Sequence, residues 1–403
     1  MSRRVPRWSD VAPLLGTPDR SRTALQRRLD RCASIGDLRA MARRRVPVPV
    51  FDYVDGAAGS EASLRRSRAA YARVEFTPRV LRDVRDVDLT TQVLGQRSAL
   101  PFALAPTGFT RMMHHLGEPA VASVAGEVGI PYALSTLGTT SIEDLAAAAP
   151  GTRRWFQLYV WRDRDASEAL VSRAAEAGYD TLILTVDTAV GGIRRRDVRH
   201  GLTIPPQVTA RTLAQMAIRP RWWANVLTTE PLEFATLTST GGTVGELLTR
   251  VLDGSMTMTD VAWLRSVWPG TLMVKGVQSV ADARLLADAG VDAIVLSNHG
   301  GRQVDRGNVP LELLPDVVDA VGDRLEVHID GGITSGADIV AALAMGATGT
   351  LVGRAYLYGL MAGGTDGVRR AVDILAAEIR TTMQLVGVRS VEELDRSYVR
   401  LRD

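Results

Sequence analysis

The stretch EVHIDGGITSGADIVAALAMGATGTLVGR, residues 326–354, contains one complete unit of the fold. Glu326–Asp330 is a short apolar run that stops at a carboxylate, Gly336–Met345 carries the small and aliphatic residues of a helix, and Gly349–Val352 is a second short apolar run. Strand, crossover helix and strand in direct succession is the pattern of a parallel sheet.

Read outward from there, the same rhythm extends back to about residue 97. Leu100–Ala105, Tyr132–Ser135, Trp155–Tyr159, Thr181–Val186, Leu272–Lys275 and Ala293–Ser297 are further strand candidates, with helical patterns at Asp165–Ala177, Val280–Ala289 and Leu311–Val321 between them. Eight strands with crossovers of this length favour an α/β fold of the closed (β/α)8 TIM-barrel type over an open doubly wound sheet. Two segments fall outside the repeat. Residues 1–96, with a helix expected at Ile35–Arg45, then Val-Pro-Val-Pro and Phe51-Asp-Tyr, read as an N-terminal cap, within which 1–34 form an extension to a domain spanning 35–403. From Asp187 to about Met258 the chain makes a long excursion after strand 4, where a βα loop usually takes about 2–6 residues.

Composition excludes several classes. Forty-eight basic against 45 acidic residues leave +3, with none of the concentrated excess of a nucleic-acid binder. A single cysteine, Cys32, rules out an internal disulfide framework and a cysteine-rich metal centre, so no metal is expected and a reducing, cytoplasmic compartment fits. The first residues carry charge but no apolar run behind them, so export is not expected, and no apolar stretch is long enough to span a bilayer.

In a closed barrel, reactive side chains come from the carboxyl ends of the strands. Here those ends carry Pro106-Thr107-Gly108, Ser135, Gln157 with Tyr159, Thr185 with Asp187, Lys275, Ser297 with His299 and Arg302, Asp330-Gly331-Gly332 and Gly353-Arg354. Turn and capping roles explain several singly, but not all eight together. Asp330-Gly-Gly-Ile-Thr-Ser-Gly and Val352-Gly-Arg put small residues and backbone N–H groups before helices after strands 7 and 8, where barrels bind phosphate, and Arg354 offers a fixed charge. Ser297-Asn-His-Gly-Gly-Arg-Gln places a base, His299, in a Gly-flanked turn three residues before a planar carboxylate fork, Arg302.

These strings resemble the FMN-dependent α-hydroxy-acid dehydrogenases and oxidases, from about Ile35 to the C-terminus and in family order. The others that carry the resemblance are Phe51-Asp-Tyr, Leu104-Ala-Pro-Thr-Gly, Leu134-Ser-Thr, Phe156-Gln-Leu-Tyr, Leu184-Thr-Val-Asp-Thr and Val274-Lys-Gly. The resemblance implies His299 as catalytic base held by Asp187, with Tyr53, Tyr159, Arg194 and Arg302 contacting substrate. It implies FMN as cofactor: Pro106, Thr107 and Gly108 along the ring; Ser135, Gln157, Thr185 and Lys275 at its edge; Ser297 near the ribityl chain; and Asp330, Gly331, Gly332, Thr334, Gly353 and Arg354 at the ribityl chain and phosphate. It further implies oxidation of a small L-2-hydroxy acid, L-lactate to pyruvate first, a quinone or other electron acceptor, a homotetramer, and possible contact with the inner face of the cell membrane. Thr334 stands where the family usually has Arg, Leu137 where many members have an aromatic residue, Ala189 in place of a usual Pro, and Gly108 where oxidases often carry Ala. An oxygen-using oxidase and a non-catalytic phosphate-binding barrel are the alternatives. Within the excursion, Arg219-Pro-Arg-Trp-Trp puts Trp222 and Trp223 beside two arginines, which suits either a membrane interface or packing onto the barrel.

Overall fold

Eight parallel strands pair side by side and close on themselves: β1 (Phe102–Leu104), β2 (Tyr132–Ser135), β3 (Arg154–Leu158), β4 (Thr181–Thr185), β5 (Thr271–Val277), β6 (Ala293–Leu296), β7 (Glu326–Asp330) and β8 (Gly349–Val352). The computed structural model describes residues 4–5, 7–12, 21–200, 217–230, 232, 235 and 253–402. Each strand pairs with the next, and β8 pairs with β1, so the sheet has no edge. The expected TIM barrel is therefore present. Strand limits differ in detail: β1 is shorter than Leu100–Ala105, and β5 runs past Lys275 to Val277 because Gly276, at φ +108°, carries the strand through a register shift.

Strand periodicity decides what lies inside. Alternate residues point inward, and Ala103, Ala133, Trp155, Ile183, Met273, Val295 and Leu351 fill the barrel interior with apolar volume. Two residues further along, five of those strands present Ser135, Gln157, Thr185, Lys275 and Ser297 at the mouth. At the opposite end the hairpin Thr91–Val93 and Gln96–Ser98 plugs the floor; Glu326 accepts from the Leu94 amide and from His328, and Arg153 donates to the Val93 carbonyl. The crossover helices start cleanly, with Ser141, Asp163, Ser279 and Ser335 each accepting a hydrogen bond from an amide of the first turn.

Three helices of the cap bear on the barrel mouth, α1 (Ile35–Arg45), α2 (Val48–Asp55) and α3 (Ala62–Ala72); two shorter ones, Trp8–Val11 and Ala24–Asp30, precede them among the described residues. The Pro-punctuated segment opens α2 instead of interrupting the chain, since proline is tolerated in a first turn. Of the excursion, α4 (Arg195–His200) and α5 (Pro220–Leu227) are described, whereas 201–216 and 236–252 lie outside the described residues. Trp222 is only 8% exposed and its indole donates to the Met112 carbonyl at 3.0 Å, so this indole packs α5 onto the barrel; the exposed apolar residues nearby are Ile218 and Leu227. A long helical run, α6 (Arg354–Val386), broken at Gly363–Gly364, follows β8 and packs against α1.

One buried carboxylate joins cap, excursion and barrel. Asp55 accepts from Arg39 Nε at 2.5 Å and Nη2 at 2.9 Å, from Tyr358 Oη at 2.8 Å and from Arg196 Nη1 at 3.1 Å. Burial pushes its carboxyl up, but the Arg39 and Tyr358 hydrogen bonds and the Arg39 charge outweigh it and hold the group at about 2, below its ordinary 3.8. A depressed folded value means this contribution is complete above the ordinary value and is lost as pH falls towards 2. Asp55→Asn should cost roughly 1–3 kcal/mol in denaturant unfolding at neutral pH, since it takes the counter-charge from Arg39, while Arg196 keeps Asp52 and Glu61. The wild-type advantage should shrink between about pH 4 and pH 2; a gap unchanged by acid would show that the charge of Asp55 is not what latches the cap.

Candidate active site

The barrel mouth opens into a cleft of about 220 Å³. Of the residues singled out from sequence, Tyr53, Pro106, Thr107, Gly108, Ser135, Tyr159, Arg194, Lys275, His299, Arg302, Asp330, Gly331, Gly332, Gly353 and Arg354 line it. Gln157, Thr185, Ser297 and Asp187 are bonded to this wall or to one another just behind it. Gln157 accepts from Ser135 Oγ and donates to Thr185 Oγ1, each at 3.0 Å, a buried belt along three strand ends. Thr334 does not join them. Its hydroxyl and amide both donate to Asp338, at 3.1 and 2.7 Å, capping the following helix.

Lys275 anchors the centre. Its ammonium lies 3.0 Å from Asp330 Oδ2 and donates to Ser297 Oγ at 2.9 Å, and all three side chains are buried. Ser297 Oγ also accepts the His299 amide at 3.0 Å. That bond helps hold His299 at φ +57°, followed by Gly300 and Gly301 at +62° and +78°. A non-glycine residue in the left-handed region is strained, and the strain turns the imidazole towards the cleft. Nδ1 meets Asp187 Oδ1 at 3.2 Å, which leaves Nε2 as the nitrogen free to act. For Asp187, burial raises the carboxyl, but the His299 charge and hydrogen bond and the Lys275 charge prevail and set it below the ordinary range. The Asp187 carbonyl accepts from Gln303 Nε2 at 2.8 Å, a bond that fixes the start of the excursion against the His299 loop.

Two guanidinium groups share the Tyr53 ring, Arg302 at 4.8 Å and Arg194 at 5.7 Å from its centroid. Arg302 also donates to the Tyr53 carbonyl, and Arg194 pairs with Asp197 at 2.9 Å. Burial first, and then the Arg194 charge, push Arg302 down to about 10. Tyr159 is buried opposite, its hydroxyl held well into the protonated state by burial and by the Asp187 charge. At the far end Gly331 and Gly332, at φ +87° and +86°, turn their loop tightly beside Gly353. There Arg354 donates to the carbonyls of Val54, Gly300 and Gly56 at 2.8–2.9 Å.

Reading strand ends does not find the residues that build the wall from elsewhere. Asp305 ties the His299 loop to the cap, and Phe109, Met113 and Leu357 join Leu137 in the apolar wall; Asn298 and Gln303, within the string around His299, bond to Ser67 of the cap and to the Asp187 carbonyl. Among the described residues there is no cluster of His, Cys, Asp and Glu able to hold a metal ion.

A barrel mouth with a glycine-rich anion cradle at strands 7 and 8, a buried lysine at its centre and a His–Asp pair beside two arginines defines a cofactor-dependent enzyme acting on an anionic substrate. The chain belongs to the FMN-dependent dehydrogenase family, which it matches over residues 42–401, and is an FMN-dependent oxidoreductase. A Mycobacterium tuberculosis protein bearing the provisional name L-lactate dehydrogenase is 54% identical over 399 residues, 99% of this chain and 96% of that one. The L-lactate dehydrogenase of Caulobacter vibrioides is 41% identical over 91% of this chain and 97% of its own length. The crystal structure of the monotopic membrane protein (S)-mandelate dehydrogenase superposes with a TM-score of 0.88 at 36% identity, covering 92% of this chain and all of that one.

The cleft fits FMN. Asp330 Oδ1 is buried without a hydrogen-bond partner among the described residues, an acceptor suited to a ribityl hydroxyl, and Lys275 puts a buried positive charge 3.0 Å from the other oxygen of that carboxylate. Gly108 has no spare room. A Cβ there would lie 2.9 Å from Leu137 Cβ and 3.2 Å from the Leu137 carbonyl oxygen. Gly108→Ala should therefore cost about 1–3 kcal/mol in urea unfolding of the holoenzyme. Leu137→Ala should not relieve that cost, because the obstructing atoms are Cβ and backbone; relief would place the clash at the leucine tip.

Proposed function

We propose that the protein oxidises a small L-2-hydroxy acid, L-lactate first, to the 2-oxo acid and passes the electrons to a quinone or similar carrier. The observation that carries this reading is the convergence of Arg194 and Arg302 on the Tyr53 ring beside the His299–Asp187 pair. When bound, FMN supplies the two-electron acceptor. Arg302, with its planar fork, and Arg194 bind the substrate carboxylate, which also relieves the repulsion between them. The hydroxyls of Tyr53 and Tyr159 orient the substrate hydroxyl, and the apolar side chains of Phe109, Met113 and Leu137 face its short alkyl end. His299 Nε2 takes a proton from the substrate, and Asp187, ionised at Nδ1, fixes the tautomer and stabilises the imidazolium. A barrel that only bound a phosphate ligand would have no use for a strained base backed by a buried carboxylate.

Mixed anaerobically with L-lactate, the holoenzyme should lose its flavin absorbance. His299→Gln should retain FMN and lose about two to four orders of magnitude of that rate. Bleaching of the variant at the wild-type rate would remove His299 from the reaction. A wild type bleached by (S)-mandelate and not by L-lactate would keep the reaction class and overturn the substrate.

The choice of acceptor, with peripheral attachment to the membrane, is supported by exposed apolar residues on the described parts of the excursion. Val190, Ile193, Val198, Ile218 and Leu227 are all more than 60% exposed, with Arg195, Arg199 and Arg221 exposed among them. No helix among the described residues is long and apolar enough to cross a membrane. Wild-type protein should sediment with anionic liposomes at low salt, and an Ile218→Asp/Leu227→Asp variant should stay in the supernatant with its flavin. Wild type that never sediments would point to a soluble carrier.

A further inference from the structure

FMN ends in a phosphate monoester that carries between −1.5 and −2 charge at neutral pH, to judge by the roughly 6 second pKa of such groups. The cradle at strands 7 and 8 meets it with one buried cation, Arg354, three of whose N–H groups are already committed to the Val54, Gly56 and Gly300 carbonyls. Thr334, in the same loop, spends its hydroxyl on Asp338. The charge in the cradle itself is short of what the phosphate brings.

Helix α3 of the cap lies across this loop. Ser67 Oγ accepts from Asn298 Nδ2 at 3.0 Å, and a Cβ on Gly332 would come 2.7 Å from the Ser67 carbonyl oxygen and 3.0 Å from the Tyr71 ring. A Cβ on Gly301 would come 2.7 Å from the Leu64 amide nitrogen. Leu64, Ser67 and Tyr71 thus form one helical stripe pressed onto the mouth, and Arg68, next to Ser67 and four residues after Leu64, belongs to it. Neighbouring arginines are occupied: Arg65 donates to the Ser60 carbonyl, and Arg66 and Arg73 face Glu312. Arg68 is partly buried and has no hydrogen bond or ion pair among the described residues, yet its charge acts on both Arg354 and Tyr358 in the opening turns of α6. The Tyr71 hydroxyl is likewise buried without a partner, near Asp330 and Asp338.

We propose that Arg68 is the second cation of the FMN phosphate site, reaching in from the cap, with the Tyr71 hydroxyl as a further donor. The inference rests on FMN binding at this mouth and not on the identity of the substrate. It makes cofactor retention depend on a docked cap, because the helix that carries the charge belongs to the cap and not to the barrel.

The test compares FMN with riboflavin, which lacks the phosphate, by fluorescence titration into the full-length protein freed of flavin. Arg68→Met should weaken FMN binding about 10- to 100-fold, the range for losing a hydrogen bond to a charged group, and leave riboflavin binding unchanged. Arg68→Lys should retain most of the preference for FMN, and Tyr71→Phe should reduce it more modestly. Unchanged FMN affinity in Arg68→Met, or equal weakening for both flavins, would overturn the assignment. A wild type that binds the two flavins equally would overturn the phosphate site as a whole, a result distinct from failure of Arg68 alone.

Discussion

Closure of eight parallel strands is the constraint from which the rest follows. A closed sheet has no edge to carry function, and its strands alternate, so each strand has few inward positions. Apolar residues such as Ala133, Trp155, Ile183, Met273 and Val295 fill the lower ones, and the next inward residues are Ser135, Gln157, Thr185, Lys275 and Ser297. The packed interior and the polar mouth are thus two ends of one alternation. The Ser135–Gln157–Thr185 belt and the Lys275–Asp330 pair join neighbouring strand ends, so the barrel's own register sets their spacing.

The barrel mouth is incomplete without the cap. The Ala58 amide donates to the Gly301 carbonyl and the Gly59 amide to the Ile193 carbonyl, while Asp305 accepts from Ser60 and Ser63. These bonds clip the His299 loop and the start of the excursion to a single segment of backbone. Tyr53 comes from that same cap and brings Arg194 and Arg302 together over one ring. The Asp55 latch adds a further tie between the cap, the excursion and the helix that follows β8.

Much of the barrel was legible in sequence because the two signals coincide there: a short apolar run, and a polar or glycine terminus. Where they part, boundaries fail. Gly276 reads as the end of a strand, yet its positive φ carries β5 onward. Thr334 reads as part of the phosphate loop, because a motif gives position and not side-chain direction; Asp338, four residues on, captures it. Trp222 beside arginines reads equally as interface or packing, and its burial depends on the Met112 carbonyl far away in the chain. The Arg39–Asp55–Arg196–Tyr358 latch left no local signal, since its members come from four separate elements, the three charged ones each resembling an ordinary surface charge and Tyr358 an ordinary apolar helix position.

Charge is distributed by destination. Lys275, buried in the cleft wall, is paired with the buried Asp330 before any ligand arrives. Arg302 and Arg354 are instead held by carbonyl dipoles and a ring face, with no carboxylate in ion-pair range among the described residues, and burial lowers both. Such groups are costly to the empty protein, because a desolvated cation is only partly repaid by neutral acceptors. An incoming carboxylate or phosphate restores the missing counter-charge without first displacing one. The net charge of the chain, +3 over 403 residues, gives no hint of this segregation. It arises only when the fold brings Arg302, from the turn after β6, and Arg354, from the start of α6, to one cleft with carbonyl partners in place of carboxylates.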